Sequence, residues 1–208
     1  MLLLLSALTI SLISARESSQ NVSYVAYDKG QPVHGKAYHR SKGPPHIQMG
    51  AASPPAAHLI SQTYYICTES SKDKNIGSSN YHNCLGILIA SDKKPGVACL
   101  AHVEAVTNKD AYASDVINFI SHMSQFVVQH GGDTASEKLH IVLWGNAAKT
   151  PEILEAVKKF NSNPVDHRGN AGAKGAVYVP ATNTLELTGP TAAFHDGPKP
   201  KHDEVRLD

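Results

Sequence analysis

Two apolar runs, residues 84–90 (CLGILIA) and 96–103 (GVACLAHV), flank the polar segment Ser91-Asp92-Lys93-Lys94-Pro95. Short apolar runs around a turn-forming segment predict a β-hairpin. Residues 59–68, with Ile60, Tyr64, Tyr65, Ile66 and Cys67, predict a strand before it, and residues 70–80 are polar and turn-rich. After the hairpin, Val116, Phe119, Ile120, Met123, Phe126 and Val127 recur at helical spacing. Thr107-Asn108-Lys109-Asp110 has the Ser/Thr-x-x-acid form of an N-cap, and Gly131-Gly132 supplies a left-handed stop. Residues 139–144 (LHIVLW) are apolar on both faces, the pattern of a central strand. Thr150-Pro151 gives a cap followed by proline at the first helical position, which opens a helix through Phe160. Residues 175–179 and 184–188 form a second hairpin around Pro180-Ala181-Thr182-Asn183. The order strand, hairpin, helix, strand, helix, hairpin is not a strict βαβ repeat. It predicts a mixed α/β (α+β) fold: one domain with a mixed sheet layered by helices.

Outside residues 58–190 the periodicity fades. Residues 2–13 are an apolar run ending at Ser14-Ala15-Arg16. A helix needs about 20 apolar residues to span a bilayer, so no stable membrane span is expected from this run. It reads as the apolar region of a signal peptide over residues 1–15, cleaved after Ala15, which predicts export. An apolar N-terminal strand or a start-site artefact is the competing reading. Asn21-Val22-Ser23 is a glycosylation sequon, meaningful on a eukaryotic secretory route. Residues 16–57 read as an irregular arm or linker, with Gly43-Pro44-Pro45 and Ser53-Pro54-Pro55 as its markers. Residues 191–208 read as a flexible tail.

Composition narrows the function. The chain has 208 residues, with 19 Lys+Arg against 18 Asp+Glu and a formal net charge of +1. So even a balance gives no electrostatic grip on nucleic acid. Three cysteines cannot build a disulfide framework. Cys67 and Cys99 could pair after export, but their spacing does not establish proximity. There is no C-x-x-C, H-E-x-x-H or P-loop pattern. The twelve histidines are scattered, with His34, His39, His46 and His58 in the arm and His195 and His202 in the tail. No pair has a ligand frame, so no metal is expected, and the thiol chemistry set out below calls for no organic cofactor. His130 falls at a predicted helix C-terminus, where its charge suits the dipole. His82 reads as a surface residue, Glu104 as structural, and Trp144 as core.

Cys84 and His102 carry the chemistry. With the hairpin symmetric about Lys93, Cys84 faces His102, Gly86 faces Leu100 and Leu88 faces Ala98. Opposed residues share a face, with Cβ atoms about 5 Å apart. A thiol and an imidazole so placed can form a thiolate–imidazolium pair, in which the thiolate is the nucleophile. Cys99 has the opposite parity and points away. The plainer alternative is an inert buried cysteine beside a satisfied strand histidine. A one-residue register slip would separate the two side chains.

Gly77-Ser78-Ser79-Asn80-Tyr81-His82-Asn83-Cys84, an apolar strand, a short turn and Ala98-Cys99-Leu100-Ala101-His102 resemble the active-site region of protein N-terminal asparagine amidohydrolases. The stretch is also similar to the chemoreceptor glutamine deamidases. The resemblance extends over residues 59–190, through residues 139–146 (LHIVLWGN) and 175–179 (GAVYV). Tyr81-His82-Asn83 depart from the small residues usual before the cysteine, and the chain is shorter than the eukaryotic amidohydrolase. The resemblance implies Cys84 as nucleophile, His102 as general acid/base and Ser78 as the group that orients it. It implies deamidation of Asn, including N-terminal Asn, or Gln side chains of peptides or proteins, with release of ammonia. Two other classes remain open: a secreted binding module that kept the fold without the chemistry, and a thiol hydrolase or peptidase of other specificity.

Overall fold

Strands that alternate apolar side chains to both faces need cover on both sides, and that requirement builds this fold. The structure, a computed structural model, describes residues 43–134, 138–145 and 150–207, and the backbone of 27–28 and 31–32. The predicted signal peptide and the sequon therefore lie outside the described residues, as do His34 and His39. The contacts divide the chain into residues 1–36 and residues 37–208. In the first unit, β1 (Tyr27–Asp28) pairs antiparallel with β2 (Gln31–Pro32).

The second unit holds two sheets and two helices. Its strands are β3 (His46–Met49), β4 (His58–Leu59), β5 (Tyr64–Glu69), β6 (Ile76–Ser78), β7 (Leu85–Ala90) and β8 (Val97–Val103), followed by β9 (His140–Gly145), β10 (Val165–Asp166), β11 (Gly175–Val179), β12 (Thr184–Thr188) and β13 (Val205–Arg206). The helices are α1 (Lys109–Gly131) and α2 (Pro151–Lys158). One sheet has the order β10-β9-β7-β8-β5-β13 and the other β3-β12-β11-β6-β4. Parallel and antiparallel pairs occur in both, so the mixed α+β class expected from the pattern is the one observed.

Side-chain parity sorts the core into two clusters. Leu85, Ile87, Ile89, Val97, Cys99, Ala101 and Val103 face the helices, packing with Val116, Phe119, Ile120 and Met123 of α1 and Ile153 and Val157 of α2. Leu88, Ala98, Leu100, Val142 and Trp144 face the second sheet, packing with Ile76, Ala176, Tyr178, Leu185 and Leu187. Helices, six-stranded sheet and five-stranded sheet thus form three layers. The cap of α1 is Asn108 rather than Thr107: its side chain accepts from the N–H groups of Asp110 and Ala111. Gly132, at φ 73°, ends the helix.

The hairpin of β7 and β8 is shifted from the symmetric expectation. Gly86 pairs with His102, Leu88 with Leu100 and Ala90 with Ala98, so the centre is Lys94 and not Lys93. The turn explains the shift. Ser91 Oγ accepts from the N–H groups of Lys93 and Lys94, and Gly96 sits at φ 87°, which keeps it in the turn. The shift moves each partner by two positions, so the parity of every side chain survives.

The arm and the tail depart from expectation. Residues 46–49, read as irregular, form β3 and pair parallel with β12; Ile47 packs on the second core cluster. Residues 205–206 of the tail form β13 on the edge of β5. Glu204 bonds His58 at 2.6 Å, and Lys201 and His202 both hold Glu69, whose carboxyl is pushed down to about 2 by those two hydrogen bonds. The expected strand over 59–68 is two strands, β4 and β5, separated at Ile60–Thr63.

Cys67 and Cys99 are directly opposed on β5 and β8 and form a disulfide, which leaves Cys84 as the free cysteine. The bond closes a loop with a sequence separation of 32 residues under α1. Closing a loop of that size stabilises a fold by about 3–4 kcal/mol on the chain-entropy account. Urea unfolding of the oxidised chain should therefore exceed that of the reduced chain by about 2–4 kcal/mol. The double variant Cys67→Ala/Cys99→Ala should resemble the reduced protein and show no further response to dithiothreitol.

Candidate active site

One face of the β7–β8 hairpin looks into the interlayer space between the sheets. Two positions of it carry reactive side chains. His102 lies on β8, is 2% exposed, and pairs across the sheet with Gly86. Cys84 precedes β7, is 6% exposed, and belongs to the same core cluster as Leu88 and Leu100. The shifted register makes the two diagonal neighbours on that face rather than opposed residues. Diagonal neighbours lie about 7 Å apart, and no hydrogen bond joins Cys84 Sγ to either ring nitrogen of His102. The residue beyond β8 that continues the pairing opposite Cys84 is Glu104, whose charge acts on the thiol.

Ser78, the third residue expected at the site, comes from β6 of the other sheet. Its Oγ is 2.8 Å from His102 Nδ1 and 2.7 Å from the carbonyl oxygen of Ile60. A hydroxyl has one proton to give, and the Ile60 carbonyl can only accept. Ser78 therefore donates to Ile60 and accepts from His102 Nδ1–H. That proton count leaves the lone pair on Nε2, an atom with no hydrogen-bond partner among the described residues.

Gly86 makes the site possible. A Cβ there would lie 2.0 Å from the Trp144 indole, so the missing side chain is what lets the indole cross the strand. Tyr81 then packs over this spot. Its ring stacks on His102 at 4.0 Å between centroids and meets Trp144 edge-on at 5.4 Å. Trp144 is fully buried, as its sequence pattern suggests, and its Nε1–H is a second polar atom of this region without a partner among the described residues. Buried polar atoms are paired in the great majority of cases, so His102 Nε2 and Trp144 Nε1–H stand out as exceptions.

The thiol's hydrogen bond comes from a residue that the sequence pattern did not single out. Gln62 Nε2 donates to Cys84 Sγ at 3.5 Å. The polar pair Ser61-Gln62 interrupts the apolar run 59–68, and that interruption was the available signal. Tyr81 stood in the sequence as a departure from the small residues of the resembling family; here it is the cover of His102. His82 is exposed, and Glu104 is exposed and acts on Cys84 rather than on His102. Among the described residues no group of His, Cys, Asp and Glu is arranged to hold a metal ion.

Burial governs the charges. It pushes the Cys84 thiol up, opposed by a hydrogen bond from the Ala105 backbone and reinforced by Glu104. Burial also lowers His102 to about 4. The resting pair is thus neutral thiol and neutral imidazole, in place of the thiolate–imidazolium pair that spacing suggests. No protein-family model matches the chain, and no curated protein matches it.

His102 also ties stability to pH. Its ring protonates at 6.5 when unfolded and at about 4 when folded, so the unfolded chain binds the extra proton first. The stability gained by keeping the ring neutral is present above pH 6.5 and lost as the pH falls towards 4. The full effect is about 3 kcal/mol at 1.36 kcal/mol for each pKa unit. Chemical unfolding at stepped pH should show this decline, and His102→Gln should flatten the part of it between pH 6.5 and about 5.

Proposed function

We propose that the protein is a thiol-dependent amidohydrolase that deamidates Asn or Gln side chains of peptides or proteins. The observation that carries this reading is the Ser78–His102 bond: it fixes the imidazole with its free Nε2 on the face that holds the single free thiol. An orienting group, a base and a nucleophile are the three parts such chemistry needs. The resemblance of residues 77–84 and 98–102 to asparagine amidohydrolases and glutamine deamidases supports the same assignment.

In this mechanism Cys84 gives its proton to His102 Nε2 as Sγ attacks the carboxamide carbon. A C–S bond forms and the carbonyl π pair moves to oxygen. When that pair returns, the C–N bond breaks, and the imidazolium proton goes to the departing ammonia. Water, deprotonated by the same Nε2, then hydrolyses the thioester to a carboxylate and restores the thiol. The neutral resting pair suits this sequence, because the imidazole starts as a free base and charge separation occurs only with substrate present.

One observation favours a second reading, a binding module on the same fold: burial raises the thiol instead of activating it. The two readings separate on turnover. Each variant is incubated with Asn- and Gln-bearing peptides while ammonia and the mass gain of about one dalton are measured. Cys84→Ala should abolish turnover with the fold intact. His102→Ala should lose about 10²–10⁴-fold. Ser78→Ala should lose less, since Nε2 survives and only its orientation suffers. Wild-type turnover in Cys84→Ala would refute the assignment, and a wild type inert across a broad peptide set would favour the binding module.

We also propose that the chain is exported. The Leu2-to-Ile13 run and the small residues after it support this, and the Cys67–Cys99 disulfide is of a kind that persists in oxidising compartments. Mass spectrometry of the native protein should find a mature start near Arg16; soluble intracellular protein retaining Met1 would contradict it.

A further inference from the structure

Residues 60–64 touch all three proposed catalytic residues. The Ile60 carbonyl accepts from Ser78 Oγ at 2.7 Å. Gln62 Nε2 donates to Cys84 Sγ at 3.5 Å. The Thr63 N–H donates to the His102 carbonyl at 2.8 Å, and Tyr64 is paired with His102 across β5 and β8. The segment is fixed at both ends: Ile60 N–H bonds Gly77 O at 2.9 Å, and Leu207 N–H bonds Thr63 O at 3.1 Å. Between them Thr63 adopts φ 68°, a conformation that β-branched residues rarely take. Its hydroxyl bonds the Gln62 carbonyl at 2.6 Å. Backbone strain of this kind persists where the surroundings over-determine it and clusters at functional sites. Here its effect is to hold an exposed residue, Gln62, over a buried thiol with its amide N–H on the sulfur.

We propose that Gln62 is a further catalytic residue of the site, the side-chain donor that stabilises the oxyanion formed when Cys84 attacks a carboxamide. The proposal rests on the amidohydrolase reading. Its logic is the movement of charge. In the resting site the N–H points at Sγ, the atom that becomes negative as the thiol ionises. Once the C–S bond forms, the negative charge sits on the carbonyl oxygen, two bonds from the sulfur. A donor already placed at the sulfur reaches that oxygen by side-chain rotation, with its backbone held in place. A donor held beside the nucleophile and brought to the developing charge by one side-chain rotation supplies the stabilisation such a reaction requires. Thr63 does not substitute for Gln62: its hydroxyl is committed to the Gln62 carbonyl.

The test uses the full chain with its disulfide intact, as wild type, Gln62→Ala and Gln62→Glu, with three probes. The first is ammonia release from Asn and Gln peptides. The second is reversible capture of a peptide aldehyde that carries an aldehyde in place of the side-chain amide. There Sγ adds to the carbonyl carbon, the π pair moves to oxygen and takes the thiol's proton, and no group leaves. The third is alkylation of Cys84 by iodoacetamide, in which sulfur displaces iodide and no oxyanion forms. Gln62→Ala should lower kcat about 10²–10³-fold, the usual loss for one oxyanion donor, with KM within about threefold. Aldehyde affinity should fall at least about tenfold, while alkylation stays within about threefold of wild type. Gln62→Glu keeps the size but offers no N–H, and should be at least as impaired. Aldehyde affinity within threefold of wild type in both variants overturns the proposal. So does alkylation that falls in parallel with aldehyde capture, since Gln62 would then merely tune or seat the thiol. A wild type that captures aldehyde in a Gln62-dependent way yet releases no ammonia refutes the deamidase reading and leaves the oxyanion assignment standing.

Discussion

Strand β8 has no solvent face, and every residue from Val97 to Val103 is buried. Successive side chains must therefore go alternately to the helix layer and to the second sheet. Val97, Cys99, Ala101 and Val103 take the helix side, where Cys99 bonds Cys67 beneath α1. Ala98 and Leu100 take the sheet side. His102 follows them by parity, which puts an imidazole into an interlayer space lined mostly by apolar side chains. The site is arranged around that one ring: a serine from the facing sheet meets Nδ1 and a tyrosine stacks over it, while the glycine opposite it makes room for Trp144.

The same burial decides the electrostatics. Leaving water penalises the charged form of an imidazole and of a thiol this enclosed, so each prefers its neutral form. Spacing along the sequence suggested an ion pair; the surroundings do not support one at rest. In the amidohydrolase reading this shifts the work from a preformed thiolate to proton transfer during attack. Donors around the sulfur and the carbonyl oxygen then matter more than a lowered thiol pKa. Gln62 is the side-chain donor at the sulfur.

The chain beyond β12 takes part in the same arrangement. β13 covers the edge of β5, and Leu207 bonds the strained Thr63 that carries Gln62. His58–Glu204 and the grip of Lys201 and His202 on Glu69 anchor that segment from either side. Phe126 and His130 of α1 stack on one another at 4.1 Å beside His202. The C-terminal segment is thus a structural part of the β5 edge and of the turn at Thr63.

Local signals determined a great deal. The hairpin of residues 84–103, the long helix with its glycine stop, the doubly buried strand ending at Trp144 and the proline-started helix were all written as periodicity and caps. Parity alone put Cys84 and His102 on one face and Cys99 on the other, and a two-residue shift about Gly96 left that result unchanged. Pairing alone was not so written. β3, β6, β10 and β13 are two to four residues long and carry too few apolar positions to show a period. Each exists because a neighbouring edge offers hydrogen bonds. The contact of Ser78 with His102, the approach of Gln62 to the thiol and the neutral state of the buried pair all arise between segments far apart in the chain. Periodicity records which way a side chain points from its own strand; only the packed layers decide what it meets there and how much water it keeps.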